Sequence, residues 1–256
     1  MNVLVCVKRV PATGAKIPLT EDGTDVDTRH LGFTIGPHEE CAVEEAVRIV
    51  ERSGGSTTVL TVGPPEADEQ LRYALSMGAD HGVLVETGPG ETDAQATATA
   101  ITAAIRELES DAGRFDLIMF GTESADAGNY QVGIRVAHAL GRPIVGGVKG
   151  IDLDQEAGRA TFRRPVGDGV EVYQAPLPSA VAVKEGLNLP RYPSIKGRLR
   201  AKKTQLRTIR PELAAGGLRK VRLRPPPEAE RETVVLGRGA EAAGRVVDVL
   251  EDLGVV

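Results

Sequence analysis

The sequence predicts an α/β domain on a doubly wound, mostly parallel sheet, followed by an extended C-terminal arm. Three observations carry this reading. Near-continuous apolar runs of branched residues recur through the first 150 positions, amphipathic segments with glycine stops lie between them, and the chain turns proline-rich and basic after residue 186. Such runs suit strands covered on both faces. Their alternation with helices implies right-handed crossovers that clothe both sides of one sheet.

The elements follow in order. "NVLVCV" (2–7) reads as the first strand. "EECAVEEAVRIVERSGG" is a helix with Val43, Ala46, Val47 and Val50 on one face, Pro37 near its first turn, and Gly54 and Gly55 as its stop. "TTVLTV" (57–62) is a strand, and "EADEQLRYALSMGAD" a helix that ends at Gly78. "GVLVE" (82–86) leads to "TDAQATATAITAAIRELES", a helix with Thr92 or Asp93 as its cap. "FDLIMF" (115–120) precedes a helix with Val132, Val136, Ala139 and Leu140 inward. A hairpin at about 157–175 turns at Gly167-Asp168-Gly169, and "SAVAVKE" (179–185) returns to the sheet. The α/β domain is thus expected over 1–185. Residues 186–256 form the arm, punctuated by Pro190, Pro193, Pro211 and Pro225-Pro226-Pro227, and closed by a last amphipathic helix in "GAEAAGRVVDVLEDLG".

Composition narrows the function classes. The 41% hydrophobic and 26% charged content is that of an ordinary soluble protein. No apolar run reaches the roughly 20 residues of a membrane span, and "MNVLVCVKRV" reads as a strand and not as a leader. A cytoplasmic protein without direct membrane insertion is expected. Cys6 and Cys41 sit in apolar patterns, which predicts two buried reduced thiols and no disulfide. The four histidines show no ligand spacing, so no metal site is expected.

Ligands of open α/β sheets bind beyond the C-terminal strand ends. After "FDLIMF" comes "GTESADAGNYQVGIRVAHAL", where Gly121, Gly128 and Gly133 bracket a polar loop that opens into a helix. Glycines admit close backbone approach, and free amides at a helix start favour a phosphate. The spacing is neither G-x-G-x-x-G nor a P-loop, and an ordinary strand-to-helix turn fits the same residues. "CVKRVPATG", "VGPPEAD" and "TIGPHEE" lie at other strand or helix ends and converge on the same side. Glu39, Glu123 and Asp126 are single acids that suit general bases or simple caps. No nucleophile elbow or metal motif accompanies them, so the chain reads as a nucleotide binder without a catalytic group.

The chain is acidic, with a net charge of -5, yet residues 191–224 hold twelve Lys or Arg against the single acid Glu212. The remainder carries 19 basic and 35 acidic residues, a net of -16. Nucleic-acid binding lacks interleaved aromatics beyond Tyr192 and is not expected. A solvated loop and a docking surface for an acidic protein partner both fit the charge.

"LNLPRYPSIKGRLRAKK" resembles the signature of the electron transfer flavoprotein β subunit family. "VCVKRVPATGAKI", "GPHEECAVEEAVRI", "LTVGPPEADEQLRYALSMGAD" and "GTESADAGNYQVG" are similar to further family motifs in the same order, across nearly the whole chain. The resemblance implies a Rossmann-like sheet of the adenine-nucleotide α-hydrolase-like kind and a non-enzymatic electron carrier. Its partners are an α subunit, around which residues 186–256 wrap, acyl-CoA or other flavin dehydrogenases, and a quinone oxidoreductase or other acceptor. One FAD is held mainly by the α subunit and approached by Thr13. One structural AMP maps to Cys6, Gly36, Pro37, His38, Val62, Asp126, Gly128, Asn129, Tyr130, Gln131, Val132 and Gly133. Partner docking maps to Tyr192, Pro193, Ile195, Lys196 and Gly197, with Ile195 as the apolar anchor. Ala12 and His38 stand where the family often has an aspartate and an aromatic. Two alternatives remain: a bifurcating subunit with a second FAD in place of AMP, and an adenine-nucleotide-hydrolysing enzyme of the same sheet type.

Overall fold

The computed structural model describes residues 1–12, 17–88, 92–212, 216–225 and 233–255. β1 (Asn2–Val7) leads through a short antiparallel pair, β2 (Val10–Pro11) and β3 (Phe33–Thr34), to α1 (Pro37–Ser53) and β4 (Ser56–Gly63). α2 (Asp68–Met77), β5 (His81–Glu86), α3 (Ala94–Ala112), β6 (Leu117–Gly121), α4 (Val132–Ala139) and β7 (Ile144–Val148) follow. Then come β8 (Gly150–Asp154), β9 (Arg159–Val166), β10 (Gly169–Pro176), β11 (Ser179–Val183), α5 (Ile195–Lys203), β12 (Arg207–Ile209) and α6 (Ala243–Asp252).

The main sheet has seven parallel strands in the order β12-β5-β4-β1-β6-β11-β7. Side chains of a strand alternate between faces, and β1 shows what that does here. Val3, Val5 and Val7 pack with Cys41, Val43, Val47 and Leu71 of α1 and α2. Leu4 and Cys6 pack with Ile101, Ile105 and Val136 of α3 and α4. Helices therefore cover both faces, as the continuous apolar runs require. Cys6 and Cys41 are buried separate thiols.

The helix ends obey local rules. Gly54 (φ +72°) and Gly55 (φ +110°) stop α1, and a Cβ on Gly55 would stand 2.1 Å from the Met1 carbonyl oxygen. The Asp93 carboxylate accepts from the Ala96 amide at 2.8 Å and caps α3. In α4 the inward residues are Val132, Val136 and Ala137, joined by the C-cap Leu140. Ala139, expected inward, is exposed, because the 3.6-residue turn places Ala137 beside Val136 on the buried arc.

β1 connects toward β4 on one side, whereas α4 follows β6 toward the other edge. A crevice therefore opens beyond the C-terminal ends of β1 and β6, where connections diverge. The expected hairpin is β9–β10, and β8 joins it as a third antiparallel strand. β7 and β12 add sheet edges that the sequence pattern did not show, since β7 carries Gly146-Gly147 and β12 spans only three residues.

Met1–Val221 forms one compact unit and Arg222–Val256 another. The first runs past residue 185 because the 195–209 stretch packs onto it. The Arg200 guanidinium donates to the Leu75 and Ala79 carbonyls at 2.9 and 3.0 Å, closing the C-terminus of α2. The Arg72 guanidinium donates to the Ala201 carbonyl at 2.8 Å and does the same for α5. In the second unit, α6 exposes Val246, Val247 and Val249, and its C-cap Leu253 is exposed as well. Among the described residues no helix is long and apolar enough to cross a membrane.

Gly197 sets how closely α5 lies on α2, because a Cβ there would stand 2.4 Å from the Ser76 carbonyl oxygen. That neighbour is backbone and cannot rotate aside. Gly197→Ala should displace α5 and lower stability by about 1–3 kcal/mol despite alanine's better helix propensity. A thermal melt checks this, and an unchanged or raised Tm contradicts it.

Candidate functional site

A cleft of about 330 Å³ lies at the crevice, lined by Pro37 and His38 from the start of α1 and by Glu123, Ser124, Ala125, Asp126, Ala127 and Gly128 from the loop after β6. Glycines bring its walls together. A Cβ on Gly121 would meet the His38 Cβ at 3.0 Å and the Glu39 Cδ at 3.1 Å. One on Gly133 would meet the Phe120 ring at 3.0 Å, so the start of α4 rests directly on β6. The loop turns through two left-handed residues, Gly128 (φ +54°) and Tyr130 (φ +56°). For a tyrosine that backbone is a true outlier.

The residues expected at the site fall in two layers. Pro37, His38, Asp126 and Gly128 line the cleft. Gly36 is the N-cap of α1, and Asn129, Tyr130, Gln131, Val132 and Gly133 carry the loop into α4. Cys6 lies behind, paired with Leu60 and Phe120 in the sheet, and Val62 packs on the same core. Burial holds the Cys6 thiol far above its ordinary pKa, so it is no nucleophile at neutral pH. Thr13 lies outside the described residues.

Charge in the cleft is arranged around Lys8 and Asp126, which pair at 2.7 Å. Burial pushes the Asp126 carboxyl up, but hydrogen bonds and charge from Lys8, with help from Ser124 and the Ala127 amide, hold it below the usual range. Glu39 behaves oppositely. It is 4% exposed, and burial, with the Asp126 charge adding to it, pushes its carboxyl up to about 7 against the pull of its own amide and Lys8. Glu39 Oε2 and His38 Nδ1 are buried without a hydrogen-bond partner among the described residues. The cleft fits a small polar ligand: it offers the His38 amide in the first turn of α1, whose N1 residue Pro37 has no N–H, together with a close backbone approach and a buried polar atom of His38 left to satisfy. Its volume is at the small end of ligand pockets, about 300–1,000 Å³.

A second region stands on the outer side of α1. Glu44, 1% exposed, accepts from the Arg191 Nε at 2.8 Å and from the Arg191 amide at 3.0 Å. Arg48 pairs with its other oxygen. Arg191 also forks onto Glu51 at 2.7 and 2.9 Å. The Asn188 amide donates to the Cys41 carbonyl and to Glu45, each at 3.1 Å. Burial opposes ionisation of Glu44, yet the Arg191 and Arg48 hydrogen bonds outweigh it and hold the carboxyl low. Beyond this anchor Tyr192 is 86% exposed and Ile195 80% exposed, with Leu189 and Leu199 also exposed. Arg198 sits over the Tyr192 ring at 5.6 Å. Pro193 is buried, and Lys196 is exposed.

The proline-rich reading of 186–232 as loop missed α5, although Ser194, which accepts from the Gly197 amide at 3.0 Å, is a helix-capping residue in plain view. It also missed Glu44 and Glu45 as the seat of Asn188 and Arg191. The available signal was a pair of adjacent acids in the middle of α1, off its Val43, Ala46, Val47 and Val50 face.

Residues 24–214 match the electron transfer flavoprotein domain. The chain is 32% identical over 264 residues to the electron transfer flavoprotein subunit beta of Bacillus subtilis (strain 168), covering 98% of this chain and 97% of that protein. It belongs to the electron transfer flavoprotein β-subunit family. The same subunit of Mycobacterium bovis is 35% identical over 214 residues, covering 81% of this chain and 78% of its own. The acryloyl-CoA reductase electron transfer subunit gamma of Anaerotignum propionicum is 32% identical over 199 residues, covering 77% and 73%. Membership in this flavoprotein family assigns the chain to electron transfer in company with a flavin.

Glu39 makes stability depend on pH. Its folded pKa, about 7, exceeds the ordinary 4.5. The folded state thus keeps a proton that the unfolded chain releases, and this contribution is full below about pH 4.5 and lost as pH rises through about 7. Glu39→Gln should match the parent near pH 4 and exceed it near pH 8, by up to about 3 kcal/mol. Thermal melts across that range check the sign; a difference that stays flat or reverses contradicts it.

Proposed function

We propose that the chain is the β subunit of a heterodimeric electron transfer flavoprotein. Its role is to retain one AMP in the cleft, to help enclose the FAD held mainly by an α subunit, and to dock partner dehydrogenases. It turns over no substrate of its own. Electrons pass from an acyl-CoA or other flavin dehydrogenase through the shared FAD to a quinone oxidoreductase or another acceptor. A relative named as an electron transfer subunit of acryloyl-CoA reductase supports an acyl-CoA partner. The exposed apolar side of α6 suits an arm that wraps the α subunit, and the cytoplasm is the expected compartment.

The observation that carries this reading is the Tyr192–Ile195 surface on its buried ionic anchor. Exposed apolar side chains held by fixed backbone lose little entropy on entering a pocket. Lys196, Lys202 and Lys203 lie on the same helix as Ile195 and would steer an acidic partner. Ile195→Ala should weaken dehydrogenase docking by about 10-fold to 100-fold, the worth of roughly 1.5–3 kcal/mol of lost burial. Because Ile195 is exposed in the free chain, Tm and flavin spectrum should not change. Reduction rate against dehydrogenase concentration, beside a melting curve, decides; a normal rate removes the docking role.

The small cleft favours a mononucleotide over a second FAD. Acid extraction of the purified heterodimer should release about one AMP and one FAD, as expected for a single switch-point site. Release of two FAD and no AMP would establish the bifurcating alternative. ATP hydrolysis by the chain alone would establish the enzyme alternative.

A further inference from the structure

The first turn of α1 holds an anomaly that nucleotide retention by itself does not explain. Glu39 is the third residue of this helix, and its side chain folds back under the N-cap. A Cβ on Gly36 would stand 2.4 Å from Glu39 Oε2, and the same Cβ would lie 3.7 Å from Ala125 in the cleft wall. On its other side the carboxyl lies against Gly121 at the end of β6. A glutamate at this helix position commonly reaches back to cap the first amides, and the Glu39 amide does bond its own carboxyl. That leaves Oε2 buried and, among the described residues, without a hydrogen-bond partner. An unsatisfied carboxylate oxygen is costly, whereas a protonated one is far less so.

The groups facing Glu39 sharpen the point. Lys8 at the end of β1 is the cation that faces it, and Lys8 is already paired with Asp126. Asp126, on the loop after β6, and Glu40, on the same helix, both oppose a second negative charge. Glu123 and His38 line the same cleft.

We propose that Glu39 sets the anion acceptance of this cleft: a phosphate settles there only as Glu39 takes up a proton, so that nucleotide and proton bind together. The inference rests on the nucleotide reading above. A phosphate in the cleft, beside the His38 amide and the loop after β6, brings one or two negative charges beside an acidic set. Ionised Glu39, buried directly behind the cleft wall, repels it through the low-dielectric interior, and neutral Glu39 does not. The proton comes from solvent onto the carboxylate, and no bond of the nucleotide breaks. Because the free carboxyl titrates at about 7, the coupling operates in the neutral range. Linkage then requires affinity to fall as pH rises, by up to about tenfold between pH 6 and pH 8.

The test uses the heterodimer depleted of nucleotide and titrated with AMP by calorimetry at pH 6, 7 and 8, in two buffers of different ionisation heat. Glu39→Gln is measured in parallel, because the AMP phosphate itself titrates near 6 and the ratio of the two proteins removes that contribution. Expected is a loss of about tenfold in parent affinity relative to the variant across this range, with proton uptake at pH 7 that the variant lacks. Adenosine, which has no phosphate, should show no such slope. Parallel pH profiles for parent and variant with equal proton uptake overturn the proposal and leave the nucleotide site standing. An equal slope with adenosine also overturns it, since the coupling would not be to phosphate. Absence of AMP binding to either protein at any pH overturns both the proposal and the nucleotide reading. Should the variant fail to fold, buffer-dependent heats on the parent with adenosine and with the methyl ester of AMP, whose single phosphate charge does not titrate in this range, decide: equal uptake for the two ligands overturns the proposal.

Discussion

The buried ion pair between Glu44 and Arg191 is the constraint on which the outer half of this molecule depends. A carboxylate that is 1% exposed is tolerable only when its lone pairs are filled, and here Arg191 supplies both guanidinium and backbone donors while Arg48 takes the second oxygen. Removing Arg191 would leave the buried Glu44 charge with Arg48 as its remaining cation, a destabilising loss because Glu44 itself is buried. The pair holds residues 188–191 in one register, and that register decides where Tyr192 and Ile195 emerge.

The same helix serves the other half. α1 has 17 residues, a rod of about 25 Å. Its first turn forms one wall of the cleft through Pro37 and His38. Its middle and last turns hold Asn188 and Arg191 through Glu44, Glu45 and Glu51. A single rigid element thus fixes the spacing between the candidate nucleotide site and the candidate docking surface. Both rest on core packing that leaves little room for relative motion.

The charge segregation also has a structural meaning. Of the basic residues in 191–224, Arg191 binds Glu44 and Glu51, Arg207 binds Glu107 and Asp111, Arg210 binds Glu86, and Lys220 binds Asp25. Arg200 is spent on the end of α2. Much of the basic run therefore fastens this segment to the acidic body. Among the described residues, Lys196, Lys202 and Lys203 of α5 make no ion pair, so this fastening does not extend to them.

The sequence by itself determined the sheet, its coverage on both faces and the loop that walls the cleft. Continuous branched runs such as "NVLVCV" have no other comfortable home, and Gly121, Gly128 and Gly133 mark backbone that must turn or approach closely. It also marked Ile195 as an apolar residue out of place. Only tertiary structure decided that Ile195 begins a helix, since Pro190 and Pro193 obscured a capped segment whose stability comes from packing on α2. Only tertiary structure seated Arg191 on Glu44, 147 residues away, because a long-range ion pair leaves no local periodicity to read. The state of Glu39 belongs to the same class. Its chemistry follows from Gly36, Gly121, Lys8 and Asp126 closing around it, and burial and electrostatics are properties of that enclosure and not of the residue's place in the chain.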